Sequence, residues 1–585
     1  MLCSSFFAKE IFMNMFKKLS AAFCCTLLML NCFAVEQPKD SASGKIKMLY
    51  IMSNDETGIA AFNKQHVNCA NTQNLSNDIL IPEIAKYFAC NTVMGESFLT
   101  QTLQLPLSPQ DKDTVLANRQ HAIRTLVNNP ELKSEVEQLL KEAAQDEQDV
   151  IILLSDLFKG KSCPELAQLE VLKKQSPTMY NISKFLTFNP TGSTIKLAST
   201  TFAIASMSLT AILVGKLAYR MERAGLAYRD LALYAGYSGV FAGVSIYGQY
   251  KDYSAAAAKR KKMHALSDLV RIAERFEQLC KQYDITNQFN ISEITDKNGC
   301  ALISGLKSSR YQAKNSIVFA TPLVHTFLYK IYDQEKSLAT LFACVAEMDA
   351  YNAIATKMIA AQNKQDSFCF TNCIASDKPA ISSSACWNVL IGNAVANDLS
   401  TSKHVILTGP NAGGKSTMIR TVLQNIILGQ SFGVAAAQSF DFTMFDVIHS
   451  YLNISDDLVN GLSLFASEVK RAQDILQKMK TLSPDSKFFF ALDELFTGTA
   501  SENGEICAQK FIENIAAYNH VLFIYATHFN KLKELGKDNA YCTNYKVDAP
   551  TKDANGKLVY PFTLSLGASD VNVALDIARQ ANLFI

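Results

Sequence analysis

Charged residues are scarce in this chain. They make up 19% of its 585 residues, whereas about 25% is usual in soluble domains. The hydrophobic share is 48%, so the chain carries apolar material for several cores and is not a disordered tail. Neither sign of charge prevails, because the formal net charge is +2. That balance excludes a globally basic protein that coats nucleic acid, although it leaves room for local basic patches.

Patterns that indicate a zinc site, a disulfide framework or a repeat protein are also missing. The 15 cysteines are scattered, and the close pair Cys369 and Cys373 has no further Cys or His at zinc spacing. Disulfide frameworks belong to small, dense chains, so free or buried thiols are expected. No repeat of fixed period occurs, and at roughly 100–200 residues per domain the length predicts three or four domains.

The N-terminus has the pattern of an export signal. Two lysines precede a short apolar run and a small residue: Lys17, Lys18, Leu19–Leu30 and Ala34. This order is typical of a signal peptide, and an uncleaved anchor or an apolar N-terminal helix are the alternatives. We therefore assign 1–34 to a signal-like or anchor segment and the polar stretch 35–77 to a linker.

An all-α core and lever region is predicted over residues 78–385. Apolar residues recur there at helical spacing, as in Ile84 and Phe88. The pattern is interrupted by an apolar hairpin, 193–250, whose uncharged runs are 197–215 and 231–250. The first run has the length that spans a bilayer, and both are rich in small residues. A transmembrane hairpin and a buried helical hairpin both fit this composition.

A basic cluster, 259–262, follows the hairpin. It has three interpretations: a membrane-surface anchor, a phosphate contact, or an ordinary solvated helix face.

From about residue 386 to 585 short β-type runs alternate with helices, which predicts an α/β domain with a largely parallel sheet. The run His404–Thr408 leads into a G-x-x-x-x-G-K-[ST] loop and then an apolar helix, the context that a phosphate-binding loop requires. Its backbone N–H groups would wrap phosphate oxygens. Lys415 would reach the β- and γ-phosphates, and Ser416 would ligate Mg²⁺. The predicted ATP-binding residues are Gly409, Pro410, Asn411, Ala412, Gly413, Gly414, Lys415, Ser416 and Thr417.

Two later apolar strands end in polar residues. Asp493 and Glu494 follow one of them, where Asp493 can hold Mg²⁺ and Glu494 can polarise the attacking water. His528 follows the other and could sense the γ-phosphate from a neighbouring strand tip. Ser463 lies in a loop that opens a helix, where it is a candidate N-cap.

Together these motifs resemble the MutS family of ATPases. The matching segments are Gly409–Thr417, the signature-like loop Asp456–Glu468, Asp493–Glu494 with Gly498 and Asn503, and Ala526–Phe529. Weaker similarity continues upstream in Met94–Leu107, Asn118–Gln120, Asn128–Leu132 and Ala346–Asp349. The resemblance implies an ABC-type P-loop ATPase that uses ATP and Mg²⁺ and acts as a homodimer. It implies catalytic roles for Glu494 and His528, and a role for Ser463 in contacting ATP on the partner subunit.

Several departures from the family pattern bear on function. Ala412 replaces the usual Met, Thr497 replaces Arg, and the Ser-Tyr-Gly pattern is lost near Val571–Val573. No mismatch-reading domain is visible, and the C-terminal helix-turn-helix of the family is expected to be missing. At the end of the lever, where relatives carry a DNA clamp, this chain has the apolar hairpin 193–250.

Two functions are compatible with these motifs. The first is a nucleotide-driven dimer switch coupled to DNA, as in mismatch repair. The second is a membrane-bound mechanochemical ATPase or scaffold without a DNA role. A transporter-type ABC ATPase is disfavoured, because the segment Asp457–Glu468 contains no Ser-Gly-Gly-Gln. The expected location is a cytoplasmic ATPase held at the membrane, with which the export-like N-terminus conflicts.

Overall fold

The computed structural model describes most of the core and of the C-terminal domain. The described ranges are 70–71, 75–158, 261–286, 335–362, 366–452, 464–481, 485–537 and 541–580 without 555 and 572, with a few isolated positions between 205 and 247. The signal-like segment 1–34 and Ser463 lie outside the described residues, and so does nearly all of the hairpin 193–250.

Helices dominate the described N-terminal residues as far as Ala360, as predicted, but the range 78–385 is not all-α, because short strands lie at Cys369–Phe370, Asn372–Cys373 and Ile381–Cys386. The helices are α1 (Leu75–Asp78), α2 (Ile81–Phe88), α3 (Val93–Gln104), α4 (Ala117–Asn128), α5 (Pro130–Phe158), α6 (residues 261–282) and α7 (Glu335–Ala360). The chain divides into two compact units. Among the described helices, the first unit holds residues 149–158 of α5 and 261–264 of α6, and the second holds the remainder.

Two buried carboxylates from other helices lie at the N-terminus of α3. Asp349 on α7 accepts hydrogen bonds from the backbone N–H groups of Asn91 and Thr92, at 3.0 and 2.7 Å. Glu147 on α5 accepts from the next two N–H groups, at 2.8 Å each. Carboxylates at a helix N-terminus satisfy otherwise unpaired donors and complement the helix dipole. Through these hydrogen bonds α5 and α7, which lie before and after residues 193–250 in the sequence, both contact the start of α3.

The C-terminal region is an α/β domain. Its strands are β2 (Cys369–Phe370), β3 (Asn372–Cys373), β4 (Ile381–Cys386), β5 (Asn397–Thr401), β6 (His404–Thr408), β7 (Val434–Ala435), β8 (Ser439–Phe442), β9 (Val447–Tyr451), β10 (Phe488–Asp493), β11 (Val521–Ala526), β12 (Cys542–Val547), β13 (Thr551–Lys552), β14 (Leu558–Val559) and β15 (Leu564–Leu566), and β1 (Ala70–Asn71) precedes them all. Its helices are α8 (Lys415–Phe432), α9 (Leu464–Thr481), α10 (Ser501–Ala516), α11 (Asn530–Leu535) and α12 (Ala574–Gln580).

One seven-stranded sheet carries the domain, in the order β1-β9-β10-β11-β6-β12-β15. All neighbours in it are parallel except β12 and β15. The strands β6, β9 and β11 are buried along their whole length, as strands covered on both faces by helices must be. Because parallel strands share one carboxyl edge, the ends of β6, β10 and β11 meet there.

The polar stretch 35–77, predicted as a linker, contains an edge strand. Ala70 and Asn71 pair in parallel with Val447 and Ile448 of β9. A two-residue strand is too short to produce an alternating pattern in the sequence.

One helix among the described residues is long and apolar enough to cross a membrane, Leu338–Ala360 in α7. The most apolar stretch of this helix is 94% buried inside the structure, as is usual for a helix in a protein core.

Candidate nucleotide-binding site

The loop between β6 and α8 makes a tight turn. Ala412 and Gly414 adopt left-handed backbone conformations, with φ of 62° and 101°. A Cβ on Gly413 would lie 2.9 Å from the carbonyl oxygen of Pro410, so a side chain at this position would force the turn open. The predicted strand–loop–helix context is therefore present, with Lys415 as the first residue of α8.

Lys415 lies at the centre of the site. Only 6% of its side chain is exposed, and burial is the main reason why its pKa is lowered, against the opposing effect of Glu494. Its Nζ lies 2.9 Å from Nε2 of His528 and 3.7 Å from Oε1 of Glu494. The ammonium group therefore lies beside His528 and Glu494, where it can meet a phosphate.

The two predicted metal ligands also meet. The Ser416 hydroxyl donates a hydrogen bond to the Asp493 carboxylate, and burial raises the pKa of Asp493. Oδ1 of Asp493 is buried without a hydrogen-bond partner. An unsatisfied buried carboxylate oxygen beside a hydroxyl fits the oxygen ligands that Mg²⁺ prefers. No group of three or more His, Cys, Asp or Glu arranged for a metal occurs in the described part of the chain.

Glu494 and His528 form a contact at the tips of β10 and β11. Oε1 of Glu494 lies 3.1 Å from Nε2 of His528. This hydrogen bond is the main reason why the pKa of Glu494 is lowered, with Lys415 adding to the effect. Glu494 is therefore ionised at neutral pH, the state that a water-polarising carboxylate needs.

An aromatic residue that the sequence reasoning missed lies beside the loop. The ring of Phe562 is 3.3 Å from the position of a Cβ on Gly414, and 45% of the residue is exposed. Asn397 fixes its backbone, since it donates to the carbonyl of Phe562 and accepts from the N–H of Leu564. Phe562 follows no motif in the sequence, and only its packing against the loop identifies it.

The far end of α8 is anchored in the helical core. The Arg119 guanidinium donates to the carbonyl oxygen of Ser431 at 2.7 Å, and Gln120 donates to that of Gly433 at 2.9 Å. Arg119 is buried, and so is Gln430, which donates to the carbonyl of Leu107. A cation at a helix C-terminus is favourable for the dipole and satisfies a terminal carbonyl.

Comparison with known proteins agrees with this geometry. Residues 405–584 match the family model described as MutS domain V, which covers β6, the loop and the strand ends carrying Asp493, Glu494 and His528. Residues 405–584 therefore carry a domain of the MutS family. The chain is 28% identical over 313 residues to the DNA mismatch repair protein MutS of Solibacter usitatus, a match that covers 48% of this chain and 35% of the relative.

Other MutS relatives match a shorter region. The protein from Leuconostoc mesenteroides is 31% identical over 195 residues, and that from Streptococcus pyogenes serotype M1 is 33% identical over 193 residues. Each match covers 33% of this chain and 22% of the relative. The chain thus spans between a fifth and about a third of the length of the MutS relatives it matches.

Proposed function

We propose that this chain binds ATP with Mg²⁺ and hydrolyses it, and that the nucleotide state drives a dimer switch. The observation that carries the proposal is the meeting of Lys415, Glu494 and His528 at the carboxyl edge of the sheet, with separations of 2.9 to 3.7 Å. The matched relatives are named DNA mismatch repair proteins. Their name supports extending a mismatch-repair-type ATPase role to this chain.

Each residue of the site has a separate task in this proposal. The loop N–H groups bind phosphate oxygens, and Lys415 neutralises their charge. Ser416 and Asp493 would hold Mg²⁺, which when bound neutralises charge on the phosphates. Glu494 orients and polarises the attacking water, and His528 senses the γ-phosphate through its contacts with Lys415 and Glu494. Phe562 offers an exposed ring on which the base can stack.

Dimerisation and DNA binding belong to the same proposal. Two chains would pair through their ATPase domains, and Ser463 of each would complete the nucleotide site of the other. The levers would move with nucleotide state as rigid bodies and couple the cycle to DNA. Resemblance to the MutS family supports these steps.

The alternative is a membrane-bound mechanochemical ATPase or scaffold without a DNA role. The two uncharged runs 197–215 and 231–250 favour it. DNA binding by the full chain in detergent separates the two functions. Binding that weakens steeply as salt is raised supports the DNA-coupled switch, whereas no binding supports the membrane scaffold.

The central experiment measures ATP affinity and hydrolysis for the full chain and three variants. Lys415→Ala should abolish tight nucleotide binding, and Glu494→Gln should bind ATP but stall hydrolysis in a closed dimer. The matched control is Glu534→Gln, because Glu534 is an exposed carboxylate on α11 that pairs with Lys537. Hydrolysis at the normal rate by Glu494→Gln would show that the catalytic assignment is wrong.

We further propose that the ATPase domain is cytoplasmic and held at the membrane. Labelling of a cysteine with an impermeant reagent in intact cells tests this. Cys507 is the suitable thiol because it is partly exposed, whereas Cys542 is buried. Protection of Cys507 in intact cells and labelling after lysis would support the proposal, and labelling in intact cells would contradict it.

A further inference from the structure

The turn that carries Glu494 has an unusual backbone. Glu494 and Phe496 adopt left-handed conformations, with φ of 49° and 68°, although neither is glycine. Such conformations are costly and persist where the surrounding contacts over-determine them. The side chain of Glu494 can point at Lys415 and His528 only while this turn keeps its shape.

Three contacts hold the first half of the turn. The N–H of Glu494 donates to the carbonyl of Ala526 at 3.0 Å. The Tyr525 hydroxyl donates to the carbonyl of Leu495 at 2.9 Å. The hydroxyl of Thr497, which stands where the family has Arg, donates to the carbonyl of Glu494 at 3.1 Å.

The second half of the turn is held by one buried carboxylate, that of Glu468 on α9. Its Oε1 accepts from the N–H of Thr497 at 3.1 Å, and its Oε2 accepts from the N–H of Gly498 at 3.2 Å. Glu468 is fully buried. Burial raises its pKa, while hydrogen bonds from the backbone of Gly498, Thr497 and Phe496 oppose the rise. Successive N–H groups around one anion form a nest, here filled by a side chain of the same chain.

The turn and the start of α9 are in direct contact. A Cβ on Gly498 would lie 2.8 Å from the backbone nitrogen of Phe465 and 3.1 Å from Oε2 of Glu468. On the other side, a Cβ on Gly504 would lie 2.2 Å from the carbonyl oxygen of Phe496. The turn is therefore enclosed between α9 and α10. Loss of the hydrogen bonds from Thr497 and Gly498 to Glu468 would change the position of the turn.

We infer that Glu468 is a positioning residue for Glu494: its carboxylate clamps the N–H groups of Thr497 and Gly498 and so fixes the turn that aims Glu494 at the nucleotide. The inference rests on the proposed ATPase function. A carboxylate is costly to bury without compensation, and the N–H groups of Thr497 and Gly498 supply that compensation. Glu468 acts on hydrolysis through the backbone and does not touch the nucleotide.

The test compares Glu468→Gln with Asp474→Asn, an exposed carboxylate on the same helix. The Gln amide keeps the volume of Glu468 but can accept only through its oxygen, so its NH₂ group faces one of the two N–H donors. We expect the rate of a single ATP turnover to fall between about tenfold and about a hundredfold, with ATP affinity within about threefold of the native chain. Asp474→Asn should match the native chain in both.

Hydrogen exchange at the amides of Thr497 and Gly498 gives a readout that does not depend on turnover. Faster exchange in Glu468→Gln supports the clamp, and unchanged exchange overturns it. This readout does not need an active enzyme. An inactive native chain would refute the proposed ATPase function without deciding whether Glu468 clamps the turn. Native turnover by Glu468→Gln would also overturn the inference. So would a parallel loss of affinity, turnover and thermal stability, since that is the signature of a purely structural residue.

Discussion

Acidification should destabilise the C-terminal α/β domain through two buried histidines. His404 on β6 and His449 on β9 are 5% and 4% exposed, and burial lowers their pKa values from 6.5 to about 4 and about 3. Each has a ring nitrogen that is buried without a hydrogen-bond partner, Nδ1 in His404 and Nε2 in His449. A charged imidazolium at either position would be desolvated, so the folded state holds both histidines neutral.

The sign and size follow from proton linkage. A group with a depressed folded pKa contributes stability that is complete above its unfolded pKa and is lost as pH falls toward its folded pKa. Between about pH 7.5 and about pH 5.5 the unfolded histidines take up protons while the folded ones do not, which costs about 1.3 kcal/mol for each and about 2.7 kcal/mol for the pair. The loss should continue to about pH 4 for His404 and about pH 3 for His449.

Denaturant unfolding followed by tryptophan fluorescence measures this loss. Trp387 is the single tryptophan of the chain and is buried next to the aromatic ring of Phe368, so its emission reports on the C-terminal domain. His449→Phe, which can still pack on Phe490, should remove about half of the pH dependence. The control is His121→Gln, at an exposed position on α4. An unchanged pH dependence in His449→Phe, or an equal change in the control, would refute the reasoning.

Three other perturbations have defined outcomes. Ser463→Ala should reduce ATP hydrolysis only at concentrations where the chain dimerises, and an equal reduction in the monomer would contradict a role across the interface. Asp493→Asn should weaken the Mg²⁺ dependence of ATP binding and leave binding in EDTA unchanged, as titration with Mg²⁺ would reveal. Gly95→Ala should lower the free energy of unfolding by about 1–3 kcal/mol, because its Cβ would lie within 2.4 Å of Oδ2 of Asp349. Gly392→Ala, with no atom within 4 Å, is the control in urea unfolding, and an equal loss there would contradict the steric argument.

The parts of the site that were predictable share one property: each follows a continuous apolar strand. His404–Thr408 and the strands before Asp493 and Ala526 are short hydrophobic runs that end in polar residues. A parallel sheet brings such ends together whatever lies between them in the sequence. Local pattern was therefore enough to place Lys415, Asp493, Glu494 and His528 at one edge.

The supporting contacts were not predictable in this way. Glu468, Arg119 and Asp349 are charged residues on helices, where the sequence pattern alone would place them on a solvated face. In the structure they satisfy backbone groups of Thr497, Ser431 and Asn91. These contacts join segments far apart in the chain, and no periodicity or spacing encodes which partner a buried charge finds.

The anchoring of α8 connects the candidate nucleotide site to the helical core. The helix has 18 residues, which makes it about 27 Å long, and it begins at Lys415 and ends against Arg119 and Gln120. A close-packed helix transmits strain along its length, so under the proposed function a shift at the Lys415 end would reach α4 at the other end. Such coupling would be reciprocal. If bound nucleotide changed the affinity of the helical core for a ligand by some factor, that ligand would change the affinity for nucleotide by the same factor.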